Sequence, residues 1–409
     1  MLEKIQQKIS QLPMDQLVQW LTALALELKA TDIHFEAEEK QFKVRLRIDG
    51  ILEQVAEIPK ELFLPVVAQI KELAGLKISE HQSSQDGRFK IELPDQRSFD
   101  TRVSVIPSGY GESVIIRLLR PDIAMLSLND LGLRSQLFKQ VKEIIKSPNG
   151  ILFVTGPTSS GKSTTLYAIL SQLNKAGVKI FTIEDPIEYR LAGIIQTQVD
   201  RTAKYTFAAA LRSLLRQNPN IIMLGEVRDK ETAQAAIQAS LTGHFVLTTL
   251  HTNRAVEAIQ RLTSLQINPE EVTTAVRGII AQRLVRCLCD HCKKPLTPSS
   301  SQADKLDQEL KKIPNQYLTK EHQKSKLFQA VGCPRCHQRG YQGQIAIFEV
   351  LVTDQEIKKS ILEDASANQL QELAENKDML TLFQDGLLKA LEGITTLEEV
   401  ARATGQDLG

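Results

Sequence analysis

At 409 residues, with 42% hydrophobic and 24% charged side chains, the chain is long enough for two or three globular domains and too apolar to be disordered. Fifty Lys and Arg against forty-nine Asp and Glu leave a net charge of +1, which excludes a global electrostatic draw to nucleic acid or to an anionic membrane. Any such contact must be local.

The opening stretch, MLEKIQQKISQLPMDQLVQWLTALALELKA, has no basic region leading into an apolar core, and residues 1–30 are expected to form a helical segment. No later stretch reaches the roughly 18 to 20 apolar residues of a membrane span, so the expected location is cytoplasmic. Residues 31–120 mix helical patterns with short alternating strands. In QFKVRLRIDGILEQV, Phe42, Val44, Leu46 and Ile48 face one side, and Lys43, Arg45 and Arg47 the other. A strand pair with a turn at PDQ follows in GRFKIELPDQRSFDTRVSVIPS, and ESVIIRLLR supplies a further strand before Pro121. PDIAMLSLNDLGL, residues 121–133, changes texture and is the expected linker.

Beyond it, GILFVTG, KIFTIED, NIIMLGE and HFVLTTL alternate with amphipathic helices, the pattern of a parallel sheet buried on both faces. The expected class is therefore α/β for residues 134–409, preceded by an α+β module. After residue 285 the rhythm breaks, and a polar, lysine-rich insertion, placed at 284–345, lies between two cysteine pairs. Helices return over the last seventy residues.

GPTSSGKST at 156–164 satisfies G-x-x-x-x-G-K-[ST] between a strand and a helix. Gly156, Pro157, Thr158, Ser159, Ser160 and Gly161 would turn backbone N–H groups toward phosphate at a helix N-terminus. Lys162 would reach the β/γ oxygens of ATP, Ser163 would offer its hydroxyl to Mg²⁺, and Thr164 completes the stretch. Hydrolysis also needs carboxylates. FTIEDPIEY supplies Glu184, Asp185 and Glu188, and IIMLGEVRD supplies Glu226 and Asp229. With Gly225 standing where an aspartate often does, Glu226 is the expected water-positioning or metal-linked group. GHFVLTTLHTN adds His244 and His251, although a histidine beside a core strand is more often packed and hydrogen-bonded than catalytic.

All five cysteines fall within residues 287–336. Cys289 and Cys292 form one C-x-x-C, and Cys333 and Cys336 another, a set of four soft ligands suited to structural Zn²⁺. Cys287 is left over and makes the register of CLCDHC ambiguous; His291 and His337 are possible substitutes.

Together these motifs resemble the hexameric secretion ATPases of type II secretion and type IV pilus assembly. The resemblance spans nearly the whole chain: GPTSSGKSTTLYAIL, TIEDPIEY, RQNPNIIMLGEVRD, GHFVLTTLHTN, GCPRCHQRGYQG, and upstream ATDIHFEA, RLRIDG, SQDGRF and DTRVSVIPSGYGESVIIRLLR. It implies a PAS-like N-terminal domain, a flexible linker and a RecA-like ATPase domain, assembled as a homo-hexamer peripheral to the inner membrane. The implied partners are a platform protein and the pilin or pseudopilin machinery, with no nucleic acid expected. Glu226 and Glu184 would position water and Mg²⁺, His251 would sense the γ-phosphate, and Arg102 and Arg117 would approach the phosphates when the domains close. The knuckle resembles extension and secretion members rather than retraction motors. Family members usually carry glycine at the position of Ser159, aspartates at Asn218 and Asn220, and an acidic or small residue at Arg254. These departures bear on turnover rate more than on nucleotide binding, and they leave a weakly or non-hydrolysing scaffold as the alternative function. The extra N-terminal domain by which many members dock to the platform is also expected to be lacking.

Overall fold

The computed structural model describes residues 5, 8, 9, 12–92, 98–119, 126–200, 202–319, 322 and 326–407. The expected turn at residues 94–96 and the first part of the expected linker, 121–125, lie outside them. Two compact units emerge, Met1–Ile123 and Ala124–Gly409.

In the first unit, β1 (Ala30–Ala37), β2 (Gln41–Ile48), β3 (Ile51–Pro59), β4 (Gln85–Glu92), β5 (Ser98–Ser108) and β6 (Gly111–Leu118) form one sheet in the order β3-β2-β1-β6-β5-β4. Every pairing is antiparallel. The alternation read along β2 is observed, with Phe42, Val44, Leu46 and Ile48 buried and the basic residues between them on the other face. Helices Met14–Glu27 and Phe63–Leu73 contribute Leu17, Leu21, Val66 and Ile70 to the same core.

The second unit holds β7 (Gly150–Thr155), β8 (Ile180–Glu184), β9 (Ile195–Gln198), β10 (Ile221–Leu224), β11 (Phe245–Leu250), β12 (Val276–Leu288) and β15 (Tyr341–Val352), with β13 (Lys294–Leu296) and β14 (Leu327–Gln329) as a separate pair. The order is β15-β12-β7-β11-β10-β8-β9, parallel throughout except for β15. Successive residues feed opposite cores, Ile151 and Phe153 one, Leu152 and Val154 the other, as a sheet covered on both faces requires. Parallel order aligns the carboxyl ends of β7, β8, β10 and β11 on one edge, where ligands bind in open α/β sheets.

Beyond the sheet, β12 and β15 continue as an antiparallel ribbon from Leu284 opposite Ala346 to Leu288 opposite Tyr341, and this ribbon carries the cysteine pairs. The lysine-rich segment between the pairs is less peripheral than its composition suggests. Leu306, Ile313, Tyr317 and Leu327 enter the core, and buried His322 donates through Nε2 to Glu392 at 2.8 Å.

Candidate functional site

The loop after β7 turns sharply under steric constraint. A Cβ on Gly156 would stand 2.5 Å from Ser160 Oγ and 2.6 Å from the Gln282 carbonyl, so no side chain fits there. Ser159 has φ 61° and Gly161 φ 85°, left-handed conformations that aim neighbouring N–H groups to a common side. Helix Lys162–Leu173 starts directly after Gly161. Lys162 Nζ donates to the carbonyls of Gly156 and Pro157, both at 2.9 Å. Burial lowers its pKa to about 8, the Glu226 carboxylate opposing the shift and Arg283 adding to it. The ammonium is thus held by neutral carbonyls and poised for an anion. Ser163 is exposed beside it.

Three of the expected groups gather at neighbouring strand ends. Glu226 follows β10; its carboxylate lies 2.6 Å from Arg228 Nη2 and 3.4 Å from His251 Nε2, just beyond β11. Glu184 ends β8 and is buried, accepting from the hydroxyls of Tyr167 and Thr182 and, at 3.1 Å, from the Gln196 amide. Desolvation together with the Glu184 charge raises the Tyr167 pKa, keeping that phenol a donor. A hydroxyl and carboxylates make a hard oxygen donor set, which fits Mg²⁺.

Other residues named from the sequence fall elsewhere. Asp229 caps helix Lys230–Leu241 by accepting from the Thr232 N–H at 2.8 Å. His244 lies at the opposite edge of the sheet, its Nδ1 2.8 Å from the Ala239 carbonyl, a packed histidine. Asn218 and Asn220 precede β10 at that same edge, with Asn220 Oδ1 accepting from the Lys179 N–H at 2.8 Å. The four residues of β10 separate them from Glu226 by roughly 13 Å of strand. Arg254 pairs with Glu257 at 3.0 Å. Sequence reasoning missed Arg228, Tyr167, Gln282 and Arg283. Arg228 was legible, being two residues after Glu226 in the same stretch.

The four sulfurs of Cys289, Cys292, Cys333 and Cys336 all lie within 4.8 Å of one another. The spacings 3.9 Å for Cys289–Cys333, 3.8 Å for Cys292–Cys336 and 3.7 Å for Cys333–Cys336 match the roughly 3.8 Å between thiolates held tetrahedrally about 2.3 Å from zinc. Backbone N–H groups of Cys333 and Gly340 donate to Cys336 Sγ, each at 3.2 Å, the support a thiolate needs. The register is resolved: Cys287 stays on β12 outside the cluster, and His291 contacts Arg335 instead.

In the first unit, pairing register sets Arg47, Asp32, Arg117, Arg102 and Arg88 in one row across β2, β1, β6, β5 and β4. Arg117 Nε donates to Asp32 at 2.8 Å. Arg47 Nε also lies 3.7 Å from Asp32, so the row carries four arginines, two of which share that carboxylate.

Fold and site define the class, an α/β ATPase. The chain belongs to the family described as Type II/IV secretion system protein, which it matches over residues 7–402. It is 44% identical over 375 residues to Type IV pilus assembly ATPase PilB of Thermus thermophilus, covering 92% of this chain and 41% of that protein. It is 42% identical over 400 residues to Putative type II secretion system protein E of Escherichia coli, covering 97% and 78%. The chain therefore spans less than half the length of the first and over three quarters of the second. Among solved structures, the pilus retraction motor PilT with bound ADP superposes with a TM-score of 0.60 at 25% identity, covering 94% of this chain and 96% of that one.

Proposed function

We propose that the chain is an ATP-hydrolysing hexameric motor that powers assembly of a type IV pilus or a type II secretion pseudopilus from the cytoplasmic face of the inner membrane. The observation that carries this reading is the meeting of Lys162, Glu226 and His251 at adjacent carboxyl ends of one parallel sheet. Lys162 and the loop N–H groups hold the β/γ-phosphates, and Ser163 with Glu184 and Glu226 supplies the oxygens for Mg²⁺. When bound, the metal neutralises charge on the transferring phosphoryl group. Glu226 orients the attacking water, and His251 contacts the γ-phosphate edge. On this reading residues 134–409 are RecA-like, and 31–120 form a PAS-like domain joined by the linker 121–133. Arg102 and Arg117 neutralise phosphate charge on closure, which the cationic row in the first unit supports. The zinc knuckle at 284–345 is structural, and its presence favours assembly over disassembly of the fibre. The relatives named above, a pilus assembly ATPase and a secretion system protein E, support the same machinery and peripheral membrane partners. Among the described residues no helix is long and apolar enough to cross a membrane.

Mixing tests the ring. ATP turnover is measured while wild-type chains are diluted with Glu226→Gln chains at constant total concentration. In a ring whose chains fire together, inactive copies poison active ones, and activity falls more steeply than the wild-type fraction. A strictly linear fall contradicts a coupled hexamer.

A further inference from the structure

Two side chains of β12 reach the nucleotide site from beneath and have no part in the roles above. β12 runs parallel to β7 with Ala281 opposite Thr155, so the next two residues, Gln282 and Arg283, pass alongside the phosphate loop. Both are buried. The Gln282 amide donates to the Ser160 carbonyl at 2.6 Å, and its own carbonyl accepts from the Thr165 hydroxyl at 2.7 Å. One planar group thus spans the loop before Lys162 and the first turn of the helix after it. Arg283 Nη1 donates to the Gln282 backbone carbonyl at 2.9 Å, and Nη2 donates to both the backbone and the side-chain oxygen of Asn253 at 3.0 Å. Asn253 lies two residues beyond His251, so Arg283 fastens the segment that carries His251 to the strand that fastens the loop.

An apolar pair could fill this space without the desolvation cost of an amide and a guanidinium. What the polar pair adds is direction, because each bond fixes a specific backbone atom of the site. The loop needs it: Ser159 holds a left-handed conformation, which persists only where the surroundings over-determine it.

We propose that Gln282 and Arg283 are positioning residues, Gln282 setting the phosphate loop for nucleotide binding and Arg283 setting the His251 segment for turnover. The inference rests on the ATPase reading of the site and assigns separate kinetic signatures to two neighbours. ADP affinity, ATP kcat and KM, and the unfolding midpoint without nucleotide are measured on the full chain. Gln282→Met, which keeps size and loses both bonds, raises the ADP Kd and the ATP KM roughly tenfold or more, because buried partners are left unpaired. Arg283→Lys keeps the charge but cannot hold both Asn253 oxygens. It lowers kcat roughly tenfold while the ADP Kd stays within about twofold. Thr165→Val reproduces the binding loss and Thr165→Ser restores it, which decides the Gln282 role even if Gln282→Met does not fold. Wild-type constants in Gln282→Met, or Thr165→Ser as weak as Thr165→Val, overturn the loop assignment. A rise in Kd equal to the fall in kcat for Arg283→Lys overturns the split. A wild type that binds ADP and hydrolyses ATP while these variants match it defeats this inference alone; a wild type that does neither defeats the ATPase reading.

Discussion

Nε2 of His251 stands 3.4 Å from Oε2 of Glu226, although the two residues leave different strands, β11 and β10. Parallel pairing of those strands, Ile222 beside Val246 and Met223 beside Leu247, is what brings them together. The contact leaves the mostly buried carboxylate shared between His251 and Arg228, which are themselves half-exposed or more, an arrangement suited to handling a water rather than closing a permanent ion pair. Glu226→Gln is expected to lower kcat by roughly 10²- to 10⁴-fold while ADP binds with nearly wild-type affinity, as for loss of a general base. Phosphate release and ADP titration on the same preparation check both halves of that expectation.

Ser159 stores strain at a position whose left-handed backbone glycine would adopt freely. A non-glycine residue in the left-handed region costs on the order of 1 kcal/mol, partly offset by the greater backbone entropy glycine loses on folding. Ser159→Gly should therefore raise unfolding free energy by a few tenths of a kcal/mol, and Ser159→Val should lower it by about 1–2 kcal/mol, since a β-branched residue tolerates positive φ poorly. Denaturant titration of the three proteins orders them Gly, Ser, Val. A Ser159→Gly protein with sharply faster turnover would also show that the serine restrains the loop.

The cysteine cluster predicts about one zinc per chain by elemental analysis of the purified protein. Chelation, or Cys336→Ser, should unfold the ribbon end of β12 and β15 and lower the thermal midpoint, because metal binding energy is folding energy at such a site. Cys287→Ser, outside the cluster, should leave zinc content unchanged.

Glu349 supplies a pH dependence. Its buried carboxylate accepts from the Ala255 N–H at 2.7 Å and the Leu382 N–H at 3.4 Å, at the starts of two helices. Burial nonetheless raises its pKa to about 7. Between its unfolded value and about 7 the folded state holds the proton that the unfolded state has released. Stability from this group is therefore complete below about pH 4.5 and is lost as pH rises through 7. Relative to Glu349→Gln, the wild type should lose on the order of 3 kcal/mol between pH 4.5 and 8. Unfolding curves of both proteins across that range measure the difference, and a flat difference contradicts the assignment.

Much of this site could be read before any coordinates. The glycine loop, the acidic strand ends and the paired cysteines are local in sequence, and each is fixed by a short motif whose chemistry depends on spacing. β7, β8, β10 and β11 were legible because a strand buried on both faces is an unbroken apolar run. β9 was not, since its IQTQ is a half-exposed edge with no apolar signature. β12 and β15 were hidden because their register depends on pairing across a long excursion, and the cysteines drew attention to their far ends instead. Gln282 and Arg283 escaped for the same reason: only the β12–β7 pairing reveals that they lie against Ser160 and Gly156. Asn218 and Asn220 show the converse, since their departure from the family pattern looked relevant to turnover until the strand between them and Glu226 set them at the other edge of the sheet.

Phosphate release from ATP by the wild type and by Lys162→Ala, measured side by side with Mg²⁺ present, tests the central claim. The Lys162 amine rests on the Gly156 and Pro157 carbonyls, both part of the loop it serves, so its loss strikes that loop before it strikes the fold. The account predicts steady ATP turnover by the wild type and at least a hundredfold less by Lys162→Ala, with both proteins folded and zinc-loaded. Equal rates in the two proteins would contradict it and leave a nucleotide-binding scaffold in place of a motor.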